Sequence, residues 1–193
     1  MKTVEIFLAD VAESRRRAQN AERASFAGPP DLAIPPALAV ALRHRFLVSP
    51  VLARSANALR SAYVGIPSAE REQIEYWIAA YGNEINWALQ TGEHSVVALD
   101  VEDLRAATHS LAALAGDDSS WQYSLQFAMR NRWFLLFAHA PNLRSLVGFA
   151  GLRLHKRDSI LLPPSRIAGL EITYSDPGAP LLPAPAWMRD RSI

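Results

Sequence analysis

The strongest constraint on the fold is a run of apolar, strand-forming residues that ends in three carboxylates. The segment from Ser95 to Asp103 reads Ser-Val-Val-Ala-Leu-Asp-Val-Glu-Asp. Because side chains alternate along a strand, Asp100 and Glu102 are expected to share one face, with Val101 on the other. Two carboxylates at the end of a buried strand can hold a hard cation. The alternative is that the strand ends at solvent and the acids begin the next helix, with Asp103 as its N-cap.

The composition indicates one globular domain without a membrane partner. The chain has 193 residues, of which 50% are hydrophobic and 20% charged. A net charge of +1 provides no global field for nucleic acid, so any such binding must come from a local patch. The absence of cysteine excludes disulfides and thiolate zinc sites. Neither a signal peptide nor an apolar run of about 20 residues is found, so we expect a soluble, cytoplasmic protein.

Prolines divide the chain into a short appendage and a larger domain. Four apolar residues near the N-terminus fall at helical spacing: Val4, Phe7, Leu8 and Val11. Prolines after Gly28 and at Pro35 interrupt the chain beyond them. We therefore expect an N-terminal helical appendage over residues 1–35 and one domain over residues 36–193. Its proline-rich tail, from Asp176, is expected to lie extended on the surface and to be anchored by Trp187.

Helix and strand signals alternate in the first half of the domain. A helix is predicted from Ala37 to Arg45, followed by a strand that Pro50 closes. A second helix is predicted from an N-cap at Ser68 to Gly82, with Ile74, Trp77, Ile78 and Tyr81 on its apolar face. A third helix should follow Asp103 and end at Gly116.

The second half is predicted to be rich in strands. Trp121 to Phe127 and Trp133 to Phe137 are β-prone runs on either side of a basic turn, which predicts a hairpin. Further strands are expected at residues 159–162 and from Leu170 to Tyr174. The order of elements predicts a mixed α+β (α/β) fold with a central mixed or antiparallel sheet flanked by helices.

Four segments, taken in order, carry a resemblance to a known family. They are the helix Glu70–Trp77, Asn86-Trp-Ala-Leu-Gln-Thr-Gly, Val96-Val-Ala-Leu-Asp-Val-Glu and Leu161-Leu-Pro-Pro-Ser. Over about residues 36–188, the chain resembles the bifunctional primase-polymerase domain of plasmid and phage replication proteins, in the archaeo-eukaryotic primase superfamily. The resemblance implies a primase-like fold and template-directed joining of nucleotides with Mg²⁺ or Mn²⁺. It also implies that Asp100 and Glu102 are catalytic residues and the first two metal ligands.

Two positions depart from the family pattern. The family's Gly-Arg-His-x-x-Phe strand corresponds to the segment that begins at Arg132, so Phe134 takes the place of the histidine. The family's Gly-x-Asp-x-Arg corresponds to Gly151-Leu-Arg-Leu-His, so Arg153 takes the place of the third metal ligand. An arginine beside the two carboxylates would pair with them and compete with the metal, or contact phosphate in its place. We therefore predict a degenerate active site with weak or absent polymerase activity.

Basic and aromatic residues of the second half form a candidate surface for phosphates and stacked bases. The predicted nucleotide-binding residues are Arg130, Arg132, Arg153, His155 and Ser165. Lys156, Arg157 and Arg166 are further cations of this group, and Trp121, Tyr123 and Trp133 are interleaved with it. The alternative is a set of scattered surface arginines and core aromatic residues.

Three functions remain open from the sequence. The first is a primase-polymerase-like domain of a mobile-element replication protein that binds nucleotides or single-stranded DNA, with reduced or lost catalysis. The second is an atypical nucleotidyltransferase with Asp100, Glu102 and Asp158 as ligands, although Asp158 falls in the wrong register for the third position. The third is a scaffold or interaction protein. We expect a separate helicase or replication protein as partner, because no such segment follows in this sequence.

Overall fold

Three helices and a series of short strands make up the part of the chain that the structure describes. The structure is a computed structural model that describes residues 33–51, 67–82, 85–93, 95–167 and 169–189. The predicted N-terminal helix lies outside these residues. The helices are α1 (Pro36–Arg43), α2 (Arg71–Tyr81) and α3 (Leu104–Ala115). The strands are β1 (Val48–Val51), β2 (Asn86–Gln90), β3 (Val96–Val101), β4 (Gln126–Met129), β5 (Arg132–Ala138), β6 (Leu152–His155), β7 (Ser159–Leu162), β8 (Arg166–Ile167), β9 (Leu170–Glu171), β10 (Thr173–Tyr174) and β11 (Leu182–Pro183).

The larger sheet is built around the carboxylate strand β3. Its strand order is β10-β4-β5-β3-β6, and β11 pairs in parallel with the end of β5. Both neighbours of β3 are antiparallel to it, and all six β3 residues are buried. A strand with sheet on both sides and cover on both faces needs a continuous apolar run, which Val96-Val-Ala-Leu provides. The predicted mixed α+β fold with an antiparallel sheet is confirmed.

A smaller antiparallel sheet contributes to the core on one face of the larger sheet. Its order is β1-β2-β7. Together with α1 and α2 it supplies the first core cluster, in which Trp77 of α2 lies against Trp87 of β2 with ring centroids 6.3 Å apart. Phe134 and Leu136 of β5 belong to the same cluster. The apolar face of α2 therefore packs as its helical spacing predicts.

The opposite face of the larger sheet packs against α3 and the C-terminal tail. Leu99 and Val101 of β3 share this second core cluster with Ala107 of α3 and with Trp187 and Met188. Trp187 is buried and meets Trp121 edge-on, with ring centroids 6.1 Å apart. The expected role of Trp187 as the anchor of the tail is confirmed.

The cap predicted for α2 is wrong. The helix begins at Arg71, and Ser68 lies before it in an isolated bridge to Val48. The Ser68 hydroxyl accepts a hydrogen bond from the Glu70 backbone N–H at 3.0 Å. The C-terminal prediction is confirmed, because α2 ends at Gly82 with a positive φ of 81°, a conformation that favours glycine.

Three strand predictions need correction. Pro50 does not close β1 but lies within it, opposite Trp87, and this is possible because β1 is an edge strand that needs no donor on its outer side. Trp121 belongs to a 3-10 helix rather than to the hairpin. The predicted last strand is divided, since β9 pairs with β8 whereas β10 pairs with β4. The hairpin itself is confirmed, with Arg130 at its turn.

Candidate functional site

The site is organised by the register of β3 with its two neighbours. Asp100 lies directly opposite Phe134 on β5 and opposite Arg153 on β6. Directly opposed residues share a face of the sheet, so these three side chains emerge on the same side. Asp100 is fully buried, whereas Glu102, just past the end of β3, is exposed. At the end of the carboxylate strand, one acid is therefore packed inside the protein and the next acid lies at the surface.

Arg132 binds both carboxylates at the start of β5. Its Nε donates to Asp100 Oδ1 at 3.1 Å, and its Nη2 donates to Asp100 Oδ2 in a short contact. The same Nη2 donates to Glu102 Oε1 at 3.2 Å. The guanidinium also lies over the Phe134 ring, 5.3 Å from its centroid. This fork-to-fork arrangement is the strongest geometry that an arginine and a carboxylate can form. We call these three residues, Asp100, Glu102 and Arg132, the arginine clasp.

His155 connects the clasp to a third carboxylate. Its Nε2 lies 3.2 Å from Asp100 Oδ2, and its Nδ1 lies 3.1 Å from Asp158 Oδ2. The imidazole is buried, so both of its polar contacts are made inside the protein. Asp158 was predicted to fall in the wrong register to join the metal site. The structure confirms that it does not touch Asp100 directly, because His155 lies between them.

Thr91 holds Asp158 in this position. Its hydroxyl donates to the Asp158 carbonyl and accepts from the Asp158 N–H, both at 2.9 Å. Its backbone N–H donates to the same carbonyl at 2.8 Å. The threonine of the Asn-x-x-x-x-Thr-Gly segment thus fixes the start of β7 beside the clasp.

The electrostatics of Asp100 follow from these contacts. Burial alone would raise the pKa of Asp100, but the hydrogen bonds from His155 and Arg132 and the positive charge of Arg132 outweigh it. The pKa of Asp100 is therefore held below its ordinary value. The hydrogen bond to Asp100 raises the pKa of Arg132 in turn. Both partners are ionised across the physiological range.

The predicted pairing of Arg153 with the two acids is wrong. Arg153 lies opposite Asp100 in register, yet its side chain is exposed, and within the described residues it makes no hydrogen bond or ion pair. Arg132 takes this role because the β3–β5 register, continued by one residue beyond the Val101–Trp133 pair, brings it opposite Glu102 and diagonal to Asp100. Diagonal neighbours are within reach of a long side chain. Arg132 can be seen in the sequence, but its position beside the two acids is known only once the register of β3 and β5 is known.

The other predicted nucleotide-binding residues divide into two groups. Arg130 is exposed at the hairpin turn, two residues before Arg132. Ser165 is fully buried, and its hydroxyl accepts from the Trp87 N–H at 2.7 Å and donates to the Trp87 carbonyl at 3.1 Å. It ties the loop after β7 to β2, and its contact with a nucleotide remains a prediction. Asn86 acts in the same way, since its side chain exchanges two hydrogen bonds with the Arg166 backbone.

Trp121 and Trp133 do not lie beside the predicted basic residues. Trp133 follows Arg132 on β5, so alternation places it on the opposite face of the sheet, opposite Val101. There it lines a groove of about 450 Å³ between α3 and the sheet, together with Trp121 and Leu104. The predicted surface of interleaved cations and aromatic residues is therefore wrong for these two tryptophans.

The clasp as it stands does not fit a two-metal centre. Both oxygens of Asp100 accept hydrogen bonds, and Glu102 shares the same guanidinium. Within the described part of the chain, no three or more His, Asp or Glu side chains are grouped so that they could hold a metal ion. Mg²⁺ requires nearly octahedral oxygen ligands that are free to bind it. Asp100, whose two oxygens are both held by Arg132, does not offer such a ligand in this arrangement.

The antiparallel sheet with a carboxylate-bearing central strand and a second small sheet defines a mixed α+β protein of the primase type. The model of the family described as bifunctional DNA primase/polymerase, N-terminal, matches residues 37–187. The chain belongs to this family, whose functions are DNA primase/polymerase-like and associated with replication. Comparison with curated protein sequences gives no significant match. Among the described helices, none has the length and apolar character needed to cross a membrane.

Proposed function

We propose that this chain is a primase/polymerase-type domain of a replication protein that contacts nucleotides or single-stranded DNA with reduced or lost nucleotidyl transfer. The observation that carries the proposal is the arginine clasp. The resemblance assigns Asp100 and Glu102 to the family's first two metal-ligand positions, and both are bound by Arg132. In polymerases with two metal ions, the ions stabilise the attacking and leaving oxygens of nucleotidyl transfer. Such a site requires carboxylates that are free to bind the metal ions. Here a single guanidinium already pairs with both carboxylates.

Exposed cations near the clasp support the binding part of the proposal. Arg153 emerges on the same face as Asp100 and has no ion-pair partner among the described residues, and Arg130 is exposed at the neighbouring hairpin turn. Arginine presents several donors in a planar fork that matches phosphate oxygens. Phosphate binding by a few cations is sensitive to salt. Arg130 and Arg153 are therefore the proposed phosphate contacts beside the carboxylate strand.

Primer extension and de novo priming with Mg²⁺ or Mn²⁺ test the catalytic part. We expect little or no product, and we expect Asp100→Ala to leave that background unchanged. Robust synthesis that Asp100→Ala abolishes would contradict the loss of catalysis and favour the atypical nucleotidyltransferase.

Fluorescence anisotropy with labelled single-stranded DNA, titrated with salt, tests the binding part. We expect Arg153→Ala to weaken binding by about fivefold and to reduce the salt slope by about one. Arg105→Ala is the matched control, because Arg105 is exposed on α3, beyond the opposite face of the sheet. If the wild-type chain binds neither DNA nor nucleotides at low salt, the scaffold function is favoured instead.

The cellular setting belongs to the same proposal. A domain of this family that has lost synthesis would act beside other replication proteins, with a separate helicase or replication protein as its partner. We propose the cytoplasm and the replication of a plasmid, phage or other mobile element as its setting. Co-purification with replication proteins of such an element is the supporting observation to seek.

A further inference from the structure

We infer that the Arg132 guanidinium is the resident cation of this site and that it keeps Mg²⁺ and Mn²⁺ from binding Asp100 and Glu102 together. The inference concerns cation binding by the chain alone, so it holds whether or not the chain binds DNA. Its consequence is that any phosphate contact made here needs no divalent ion.

Both oxygens of the Asp100 carboxylate already have hydrogen-bond partners. Asp100 Oδ1 accepts from Arg132 Nε, and Oδ2 accepts from Arg132 Nη2 and lies beside His155 Nε2. The carboxylate is fully buried, so no oxygen is left open to solvent. A divalent ion must bind an oxygen at about 2.0–2.1 Å for Mg²⁺. It therefore has to displace the guanidinium first.

Arg132 is fixed in place by several contacts. Three hydrogen bonds to two carboxylates and the Phe134 ring fix the guanidinium, whose side chain is 36% exposed. Arginine stays protonated at any physiological pH, so it does not leave by losing its charge. An ion that binds the Asp100 oxygens must break both contacts of Arg132 with that carboxylate and give up part of its own hydration.

Arg153 is a second arginine near Asp100 that does not bind it, so its removal serves as a control for the removal of Arg132. Arg153 lies directly opposite Asp100 but touches neither carboxylate within the described residues. Removing Arg153 leaves the clasp intact, whereas removing Arg132 frees both oxygens of Asp100 and one oxygen of Glu102 from the guanidinium that joins them. Carboxylate oxygens are ligands that suit Mn²⁺. Only the loss of Arg132 should therefore open a cation site.

Titration of Mn²⁺ into the full-length chain without nucleotide, followed by electron paramagnetic resonance of the free ion, tests the inference. We expect no stoichiometric binding by the wild-type chain or by Arg153→Ala, and binding at least about tenfold tighter by Arg132→Ala. The double variant Arg132→Ala/Asp100→Asn should lose that binding. Wild-type binding that Asp100→Asn removes would overturn the inference, and so would a folded Arg132→Ala that binds no Mn²⁺. Circular dichroism reports folding, and Arg132→Met provides a second variant that fills more of the space.

A second arm, which rests on the proposed function, compares the affinity for single-stranded DNA and for a nucleoside triphosphate in EDTA and in Mg²⁺. We expect wild-type affinities to agree within about twofold. A gain of about tenfold with Mg²⁺ in the wild-type chain would overturn the metal-independent contact. Absence of all binding would count against the proposed function, while the Mn²⁺ titration would still decide which cation the site holds.

Discussion

At the scale of single residues, the function of the site depends on which arginine reaches the carboxylates. Arg132 and Arg153 lie on the two strands that flank β3, yet only Arg132 binds Asp100. The sequence predicted a guanidinium at the carboxylates and a helix cap at Asp103, which accepts from the N–H groups of Arg105 and Ala106 as expected. It named Arg153 rather than Arg132 as the partner of the acids, because the pairing depends on which strands lie beside β3 and on their register.

The clasp predicts a specific dependence of stability on pH. The folded-state pKa of Asp100 is lowered, so its ionised form contributes stability above its unfolded pKa of about 4, and this contribution is lost as the pH falls through the folded value. Arg132→Met should cost about 2–3 kcal/mol at neutral pH. This figure is below that for a fully buried pair, because Arg132 is partly exposed.

Urea unfolding as a function of pH measures this effect. The cost of Arg132→Met should shrink below about pH 4, because protonation of Asp100 removes the buried unpaired charge. Arg153→Met is the control, with an expected change within about 0.5 kcal/mol. An equal cost for Arg132→Met at neutral and acid pH would mean that the contact does not act through the charge of Asp100.

At the scale of elements, three features set by neighbouring residues were predicted correctly, whereas long-range strand pairing was not. Glycine at the end of α2, the acidic cap of α3 and the hairpin at Arg130 each depend on a few neighbouring residues. The division between β9 and β10 depends instead on distant partners, since one pairs with β8 and the other with β4. Local sequence does not contain that information.

Gly151 links the loop before β6 to the carboxylate strand. Its carbonyl accepts from the Glu102 N–H at 2.9 Å, and its φ is 72°. A Cβ at this position would lie 2.6 Å from the Asp103 carbonyl oxygen and 2.7 Å from the Ala107 nitrogen, both backbone atoms. Gly151→Ala should therefore destabilise the protein by about 3–4 kcal/mol.

Gly82→Ala is the matched control for Gly151→Ala. Gly82 has a similar φ of 81°, but an added Cβ would meet nothing within 4 Å, so only the backbone cost of about 1–3 kcal/mol should remain. Thermal or urea unfolding of the two variants gives the difference. Equal costs would show that the close approach of the loop to α3 does not contribute.

At the scale of the whole molecule, two cores lie on opposite faces of one sheet, and the site occupies the edge of the first. The pairing of β6 with β3 joins segments about 50 residues apart in the chain, which no local pattern specifies. β3 is apolar on both faces, so its sequence predicts burial but not its neighbours. Composition and element order therefore predicted the fold class, and the strand order became known only from the structure.

The tail closes the second core through Trp187. Trp187→Ala should cost about 3–5 kcal/mol, because a large buried ring is removed. Trp187→Phe should cost much less, about 1.5 kcal/mol or below, since the buried Nε1–H has no partner among the described residues and its loss removes a penalty. Tyr123→Ala, at an exposed ring, should stay within about 0.5 kcal/mol in the same urea unfolding assay. Similar small costs for both Trp187 variants would show that the tail is not part of the folded core.

The claim that Arg132 replaces the metal is tested most directly by the Arg132 side-chain Nε–H resonance in a ¹⁵N NMR spectrum. This proton is donated to Asp100 Oδ1, and Arg132→Lys identifies the signal by removing it. If Arg132 is the resident cation, the resonance should stay shifted, slowly exchanging and unchanged as Mg²⁺ is raised to millimolar concentration. A resonance that moves or broadens to the free-arginine position with Mg²⁺, and that does so only while Asp100 is present, would show that the metal displaces Arg132 and would contradict this account.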